Sequence, residues 1–228
     1  MSFFKKATPV TQHKLKGSDV KRLKKDLELA LGDGLDEADK AKLDALVPPK
    51  ADVVVFKMSN KALVYRVEGL NPFAFDPEGR GDLYPTVYLL WQFPNVIPRL
   101  LTFSEVSPKV LGGADLMLPG VIVPPEGLGE WETDDKRVLG IPDNPYPFAV
   151  GCMQVGSAEA ASSGMKGRGL RVLHTFPDAL WAMGDKSVPD ASFTAERVYP
   201  LGEAPAGAAP PRAAEPEPEP AQGSAEAA

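Results

Sequence analysis

Leu111-Gly112-Gly113-Ala114-Asp115-Leu116-Met117-Leu118-Pro119-Gly120-Val121 sets two adjacent glycines, an aspartate and a Pro-Gly pair around a short apolar run. Paired glycines permit positive φ or close backbone approach, and Asp115 can satisfy neighbouring backbone donors. Taken alone the stretch reads as a structural turn. It lacks the Lys-Ser/Thr ending of a P-loop and the spacing of a dinucleotide fingerprint. Around it lie short apolar runs punctuated by Gly and Pro: Thr102 to Val106, Gly120 to Val123, Val138 to Ile141, Phe148 to Val155 and Leu170 to His174. Strand candidates at this spacing favour a small barrel. Between the last two, Ser157 to Ser162 reads as one helical turn, capped by Ser157 and closed by Gly164.

Downstream comes Lys166-Gly167-Arg168-Gly169-Leu170-Arg171, and no acid stands between Glu159 and Asp178. The cations Lys166, Arg168 and Arg171 therefore place a positive field on a glycine-rich loop that can approach a phosphate backbone through side chains and amides. Charge alone fits a solvated loop entering a strand equally well.

Upstream the pattern changes. Ser18 or Asp19 can cap a helix with Val20, Leu23, Leu27 and Leu31 at helical spacing, stopped by Gly32 and Gly34. Asp36 to Leu46 is a second helical pattern ended by Pro48-Pro49. Asp52 to Lys57 and Ala62 to Val67 read as a hairpin broken at Ser59-Asn60-Lys61. Pro85 suits the first turn of a helix running from Thr86 to Trp91 and ended by Pro94. These elements make a small α+β unit of about 95 residues before the barrel. No repeat of solenoid period is present.

The whole chain, 228 residues, carries a net charge of −6, but the charge is unevenly spread. Leu201 to Ala228 is almost entirely Ala, Pro, Glu and Gly, with five Glu against one Arg, and cannot bury enough surface to order itself. Residues 1–30 hold eight cations and three acids. The acidic total thus conceals a basic N-terminus, and the stretch Lys14, Lys16, Lys21, Arg22, Lys24, Lys25 can match phosphates along an RNA surface or remain a solvated face.

One Cys and two His exclude a disulfide framework and a Cys- or His-rich zinc site, and point to a reducing compartment. Cys152 sits in an apolar strand run, where an inert buried thiol is the expected state. His174 ends a strand, explained by packing or one hydrogen bond rather than by general-base work. The acids are scattered. No catalytic residue, metal site or cofactor is expected, and recognition is the expected role. No long apolar core follows Met1 to Lys6, so no secretory signal is expected, and no run approaches the ~20 apolar residues of a membrane helix.

Taken in order, Gly112 to Gly120, Ala149-Val150-Gly151, Ser157-Ala158-Glu159, Lys166-Gly167-Arg168-Gly169 and Val172-Leu173-His174 resemble the PUA RNA-binding barrel. Asp178-Ala179-Leu180-Trp181 resembles the end of that domain in one family. Its members are ligatin, also called eukaryotic translation initiation factor 2D, and its shorter relative, the malignant T-cell-amplified sequence protein. Lys16-Gly17-Ser18-Asp19, Leu46-Val47-Pro48, Asn71-Pro72 and Leu83-Tyr84-Pro85-Thr86-Val87-Tyr88 with Leu90-Trp91 resemble ligatin's pre-PUA domain. Asp134-Asp135-Lys136 stands where the family pattern has a Lys-Gly-Asp strand entry. The family's winged-helix and start-codon-monitoring regions have no counterpart in these 228 residues.

The resemblance implies an α+β fold: a small α/β pre-PUA domain over residues 1–96, a β-rich PUA pseudo-barrel over 97–186, and a disordered Ala/Pro/Glu-rich tail or linker over 187–228. It implies an RNA-binding translation initiation module, cytoplasmic and without catalysis. Such a module binds small-subunit rRNA and P-site tRNA and supports GTP-independent tRNA placement, reinitiation or post-termination recycling. Backbone contacts fall to Lys14, Lys16, Lys21, Arg22, Lys24, Lys25, Lys166, Arg168 and Arg171, while Gly112, Gly113, Asp115, Pro119 and Gly120 shape the PUA loop. Two alternatives stay open. One is an adaptor that acts only with a partner resembling the density-regulated protein; the other is an accessory subunit for RNA modification.

Overall fold

The structure, a computed structural model, describes residues 3–142, 144–190 and 193. The tail read from the sequence over 187–228 lies outside these residues except at 187–190 and 193.

The chain opens with β1 (Pro9–Lys14), all six residues of which are exposed. Then α1 (Gly17–Leu31) buries Val20, Leu23, Leu27 and Leu31, the stripe its spacing dictates. Its N-cap is Lys16 rather than Ser18 or Asp19, with no side-chain cap. The Lys16 carbonyl takes the first bond from Val20 N–H, and Asp19 instead sits in the first turn, where its charge favours the helix's positive end. Gly32 closes α1 at φ +71°, and a 3-10 turn over Gly32–Gly34 leads to α2 (Glu37–Leu46), capped by the Asp36 carboxylate on Asp39 N–H.

Next come β2 (Val53–Met58), β3 (Leu63–Val67), β4 (Pro72–Asp76) and the two-residue β5 (Tyr84–Pro85). With β1 they form one antiparallel sheet in the order β1-β2-β3-β4-β5. Then α3 (Val87–Gln92) begins at Thr86, whose hydroxyl oxygen accepts from Leu89 N–H and whose O–H donates to Pro72 O at 2.6 Å.

The second sheet uses β6 (Arg99–Thr102), β7 (Leu116–Met117), β8 (Val121–Ile122), β9 (Lys136–Gly140), β10 (Ala149–Met153) and β11 (Arg168–Thr175). Helices α4 (Ser107–Leu111) and α5 (Ser157–Ser162) interrupt it. Its order is β7-β11-β10-β9-β6-β8, antiparallel except for the parallel pair β6 and β9. The two outermost strands are consecutive in the chain and joined by the single 3-10 turn Leu118–Gly120. A sheet whose ends are three residues apart has to curl, and the result is the near-closed barrel that its short strands suggested.

Two local expectations change. The strand expected over Thr102 to Val106 ends at Thr102, because Pro108 suits the first turn of α4 and the chain turns helical there. Ser157 does not cap α5; Gly156 holds the N-cap position, and Ser157 Oγ accepts from Trp131 N–H at 3.2 Å. Gly151 is fixed by close approach. A Cβ there would stand 1.9 Å from Arg171 O, where β10 and β11 shift register.

The two sheets share buried contacts. One continuous apolar core runs from Phe4, Leu27, Phe75 and Tyr84 into Val138, Val150, Cys152, Leu173 and Leu180. Polar ties cross the same seam: Trp91 Nε1 donates to Pro147 O at 2.9 Å, Tyr88 Oη to Trp181 O at 2.8 Å, and Lys136 Nζ to Leu83 O at 2.8 Å. Burying an aromatic or Leu side chain contributes about 1.5–3 kcal/mol, so a seam with this many buried groups holds the two halves together.

Candidate nucleic-acid interface

The loop 112–120 and the strand entry 166–168, which lie about 50 residues apart in sequence, form one surface. Helix α4 ends as Gly112 N–H donates to Pro108 O and Gly113 N–H to Val110 O. Gly113 then takes φ +100°, in the left-handed region that glycine enters without a Cβ penalty, while Gly112 stays helical at φ −68°. Asp115 Oδ1 accepts from Val172 N–H at 3.1 Å, the backbone-satisfying role that its type suggests. Strand β7 then pairs with β11, Met117 opposite Arg168 and Leu116 opposite Leu170. Leu118 N–H donates to Gly167 O at 2.9 Å. Pro119 is exposed on the 3-10 turn, and the Gly120 carbonyl accepts from Thr102 Oγ1 at 2.6 Å. Beside this loop Lys166, Arg168 and Arg171 are all exposed, with no ion pair among the described residues.

The six N-terminal cations divide. Lys14 lies on β1, not beside the helix, and its Nζ meets Glu68 at 2.6 Å and Asp52 at 3.9 Å. The Glu68 hydrogen bond, then the Asp52 charge, raise its pKa. Arg22 faces Asp26 at 3.8 Å, and Lys24 is paired with Asp44 of α2. Lys16, Lys21 and Lys25 are exposed and carry no such partner among the described residues. Screening by an adjacent carboxylate weakens a cation's pull on phosphate, so the open set is Lys16, Lys21, Lys25, Lys166, Arg168 and Arg171.

Sequence reading missed Lys5. Its Nζ donates to Gly112 O at 2.8 Å, which ties the N-terminal segment to the PUA loop across 107 positions. No local signal reveals such a contact.

Comparison with known proteins agrees with this architecture. A family model described as Pre-PUA-like domain matches residues 3–94, and one described as elF2D, PUA domain matches residues 97–179. The chain belongs to the pre-PUA and PUA domain families. Rat eukaryotic translation initiation factor 2D is 40% identical over 181 residues, covering 78% of this chain and 30% of that protein. The chain therefore spans less than a third of the length of the factor 2D relatives it matches. Rat Malignant T-cell-amplified sequence 1 is 28% identical over 141 residues, covering 62% of this chain and 76% of that protein. The crystal structure of a hypothetical protein from the archaeon Pyrococcus horikoshii shares the fold with TM-score 0.57 at 19% identity, covering 76% of this chain and 99% of that one.

Within the PUA barrel the two residues with potential for chemistry are enclosed. Cys152 is buried, and burial pushes its thiol pKa up, so it stays protonated and unreactive. His174 is fully buried at the seam with the pre-PUA sheet, with Nδ1 2.8 Å from Asp178 Oδ2 and its ring edge-on to Phe4 and Phe75. Asp178 also accepts from the N–H groups of Thr175, Leu180 and Trp181. That pattern fixes the turn leaving β11.

Proposed function

We propose that this chain is an RNA-binding module of a translation initiation factor, docking on small-subunit rRNA and on P-site tRNA in the cytoplasm. In that role it supports GTP-independent tRNA placement, reinitiation or post-termination recycling. The observation that carries the reading is the pairing of β7 with β11, which sets the glycine-bearing PUA loop beside the open cations Lys166 and Arg168. Exposed glycines, Gly112 and Gly167, beside cations free of ion pairs among the described residues let a phosphate backbone come close. The open cations of α1 supply a second basic patch. No described helix is long and apolar enough to cross a membrane.

The test is co-sedimentation with small ribosomal subunits, and tRNA binding, across a salt series. The double variant Lys166→Glu, Arg168→Glu should lose at least about tenfold in affinity at moderate salt and show a shallower salt slope. Unchanged binding in both assays would remove the RNA role.

A second reading follows the likeness to Malignant T-cell-amplified sequence 1, 28% identical over 141 residues. In it, the chain works with a separate protein resembling the density-regulated protein. Subunit binding that appears only when that protein is added distinguishes this reading from the standalone one.

A further inference from the structure

Between α5 and β11 the backbone does more than ending a helix requires. Gly164 N–H donates to Ala161 O at 3.0 Å and Met165 N–H to Ala160 O at 2.9 Å, the two bonds that close a helix when the residue after its cap turns left-handed. Gly164, at φ +65°, is that residue and completes the stop by itself. Met165 follows at φ +58°, a conformation that non-glycine residues enter rarely. The other described non-glycine residues with positive φ are Lys61, Asp134 and Lys186. Met165 is the one apolar residue among them, and its half-buried side chain packs on the barrel core. Backbone strain of this kind gathers where a ligand is held.

The residues that follow are Lys166, Gly167 and Arg168. Ser163 Oγ donates to Ala160 O at 2.9 Å and to Lys166 O at 3.3 Å, which bridges the end of α5 to this segment. On the far side, Gly167 O accepts from Leu118 N–H at 2.9 Å. The carbonyls before and after Gly167 are both fixed, and with them the two peptide planes. The N–H and C=O of a trans peptide point opposite ways, so holding Lys166 O on Ser163 turns the Gly167 N–H away from Ser163. At Gly167 a Cβ would meet nothing within 4 Å, and all three residues are exposed. Two long cationic side chains thus leave a backbone held by α5, by the barrel core and by the PUA loop.

Resting on the RNA-binding reading, we propose that Met165 and Ser163 are positioning residues for it: they hold Lys166, Gly167 and Arg168 in the arrangement that takes a phosphate, before any RNA arrives. The Met165 side chain, anchored in the core, keeps the backbone left-handed one residue beyond the helix stop. The Ser163 hydroxyl sets the Lys166 peptide plane. Without the anchor the stop at Gly164 remains, but the chain from 165 to 167 is free to swing. A loop that orders only on binding gives up conformational freedom at that moment, and affinity falls although no cation has been lost. The number of charges and their placement are thus separate properties of this surface. Lys166 and Arg168 supply the first, and Met165 and Ser163 the second.

The experiment uses the full chain and two readouts: amide order parameters of Lys166, Gly167 and Arg168 without RNA, and affinity for deacylated tRNA over a salt series well below each variant's thermal midpoint. In the wild-type chain the order parameters should be about 0.85, as for rigid backbone, and in Met165→Gly below about 0.6. Glycine accepts the left-handed angle, so that variant removes only the anchor. Affinity for tRNA should fall about tenfold in Met165→Gly, the scale of ordering two long side chains on binding, and about threefold in Ser163→Ala. Both variants should keep the wild-type slope of log affinity against log salt, because no cation is removed. Met165→Leu, which keeps an apolar side chain of similar volume, should retain both order and affinity. Order unchanged in Met165→Gly and Ser163→Ala, affinity unchanged despite lost order, or a shallower salt slope would each overturn the proposal. If the wild-type chain binds neither tRNA nor small subunits, the RNA-binding reading fails; order lost in the two variants would still assign the placement of Lys166 and Arg168 to Met165 and Ser163.

Discussion

His174 Nδ1 and Asp178 Oδ2 lie 2.8 Å apart with both side chains buried, at the seam where the two sheets meet. The Asp178 carboxylate holds three backbone N–H groups besides the imidazole, so it organises the whole turn from Thr175 to Trp181. Asp178→Ala leaves those donors unpaired in a dry site and should cost about 3 kcal/mol or more, read as a fall in urea midpoint with an unchanged slope. A loss below about 1 kcal/mol would mean that the carboxylate is not what orders the turn.

Gly151→Ala tests the register shift between β10 and β11. A Cβ at 1.9 Å from Arg171 O forces the strands apart, and the expected penalty is at least about 3 kcal/mol, the upper end of overpacking effects. Thermal unfolding measures it. Gly17→Ala, where a Cβ meets nothing within 4 Å, is the control and should be neutral or slightly stabilising.

The cations of the N-terminal region should not act alike in RNA binding. Lys25→Ala removes an open charge and should lower the slope of log affinity against log salt by about 1. Lys14→Ala removes a charge already held by Glu68 and Asp52, and Lys24→Ala one held by Asp44, so both should leave that slope nearly unchanged. Equal effects at all three positions would show that the ion pairs break on binding.

Alkaline pH should destabilise the fold through its tyrosines. Burial, first among the causes, pushes Tyr65 and Tyr88 up to about 12 and Tyr84 further up. Below the ordinary tyrosine pKa near 10, folded and unfolded chains are both protonated and stability is unaffected. Above it only the unfolded chain releases protons, so stability falls as pH rises from about 10 through about 12. A tyrosinate absorbance titration run alongside circular dichroism checks this, because the buried rings should ionise together with unfolding.

The sequence made some parts of this architecture readable and hid others for definite reasons. Helix α1 was plain because Val20, Leu23, Leu27 and Leu31 keep helical spacing and are all buried. The β2–β3 hairpin was plain because its β-branched runs flank a polar break. Strand β1 was missed because Pro9 to Lys14 has six exposed positions and thus no alternation to read. Strands β5, β7 and β8 have two residues each, too short for any period, and are defined only by what they pair with. The basic residues were visible as residue types, but Lys14, Arg22 and Lys24 look no different from Lys16, Lys21 and Lys25 until Glu68, Asp26 and Asp44 are placed beside them. The seam itself, with Phe4 and Phe75 packed on His174, joins positions 170 and 99 residues apart.

That seam also acts as a gauge. Because Phe4, Tyr84, Val150 and Leu173 share one core, the cations on α1 and those on β11 keep a set separation instead of swinging on a hinge. An RNA that touches both must already hold its phosphates at that spacing, and a strand that has to be straightened to fit loses conformational freedom in doing so. In the proposed role the molecule is thus a caliper, better suited to measuring a folded RNA than to gripping a loose one.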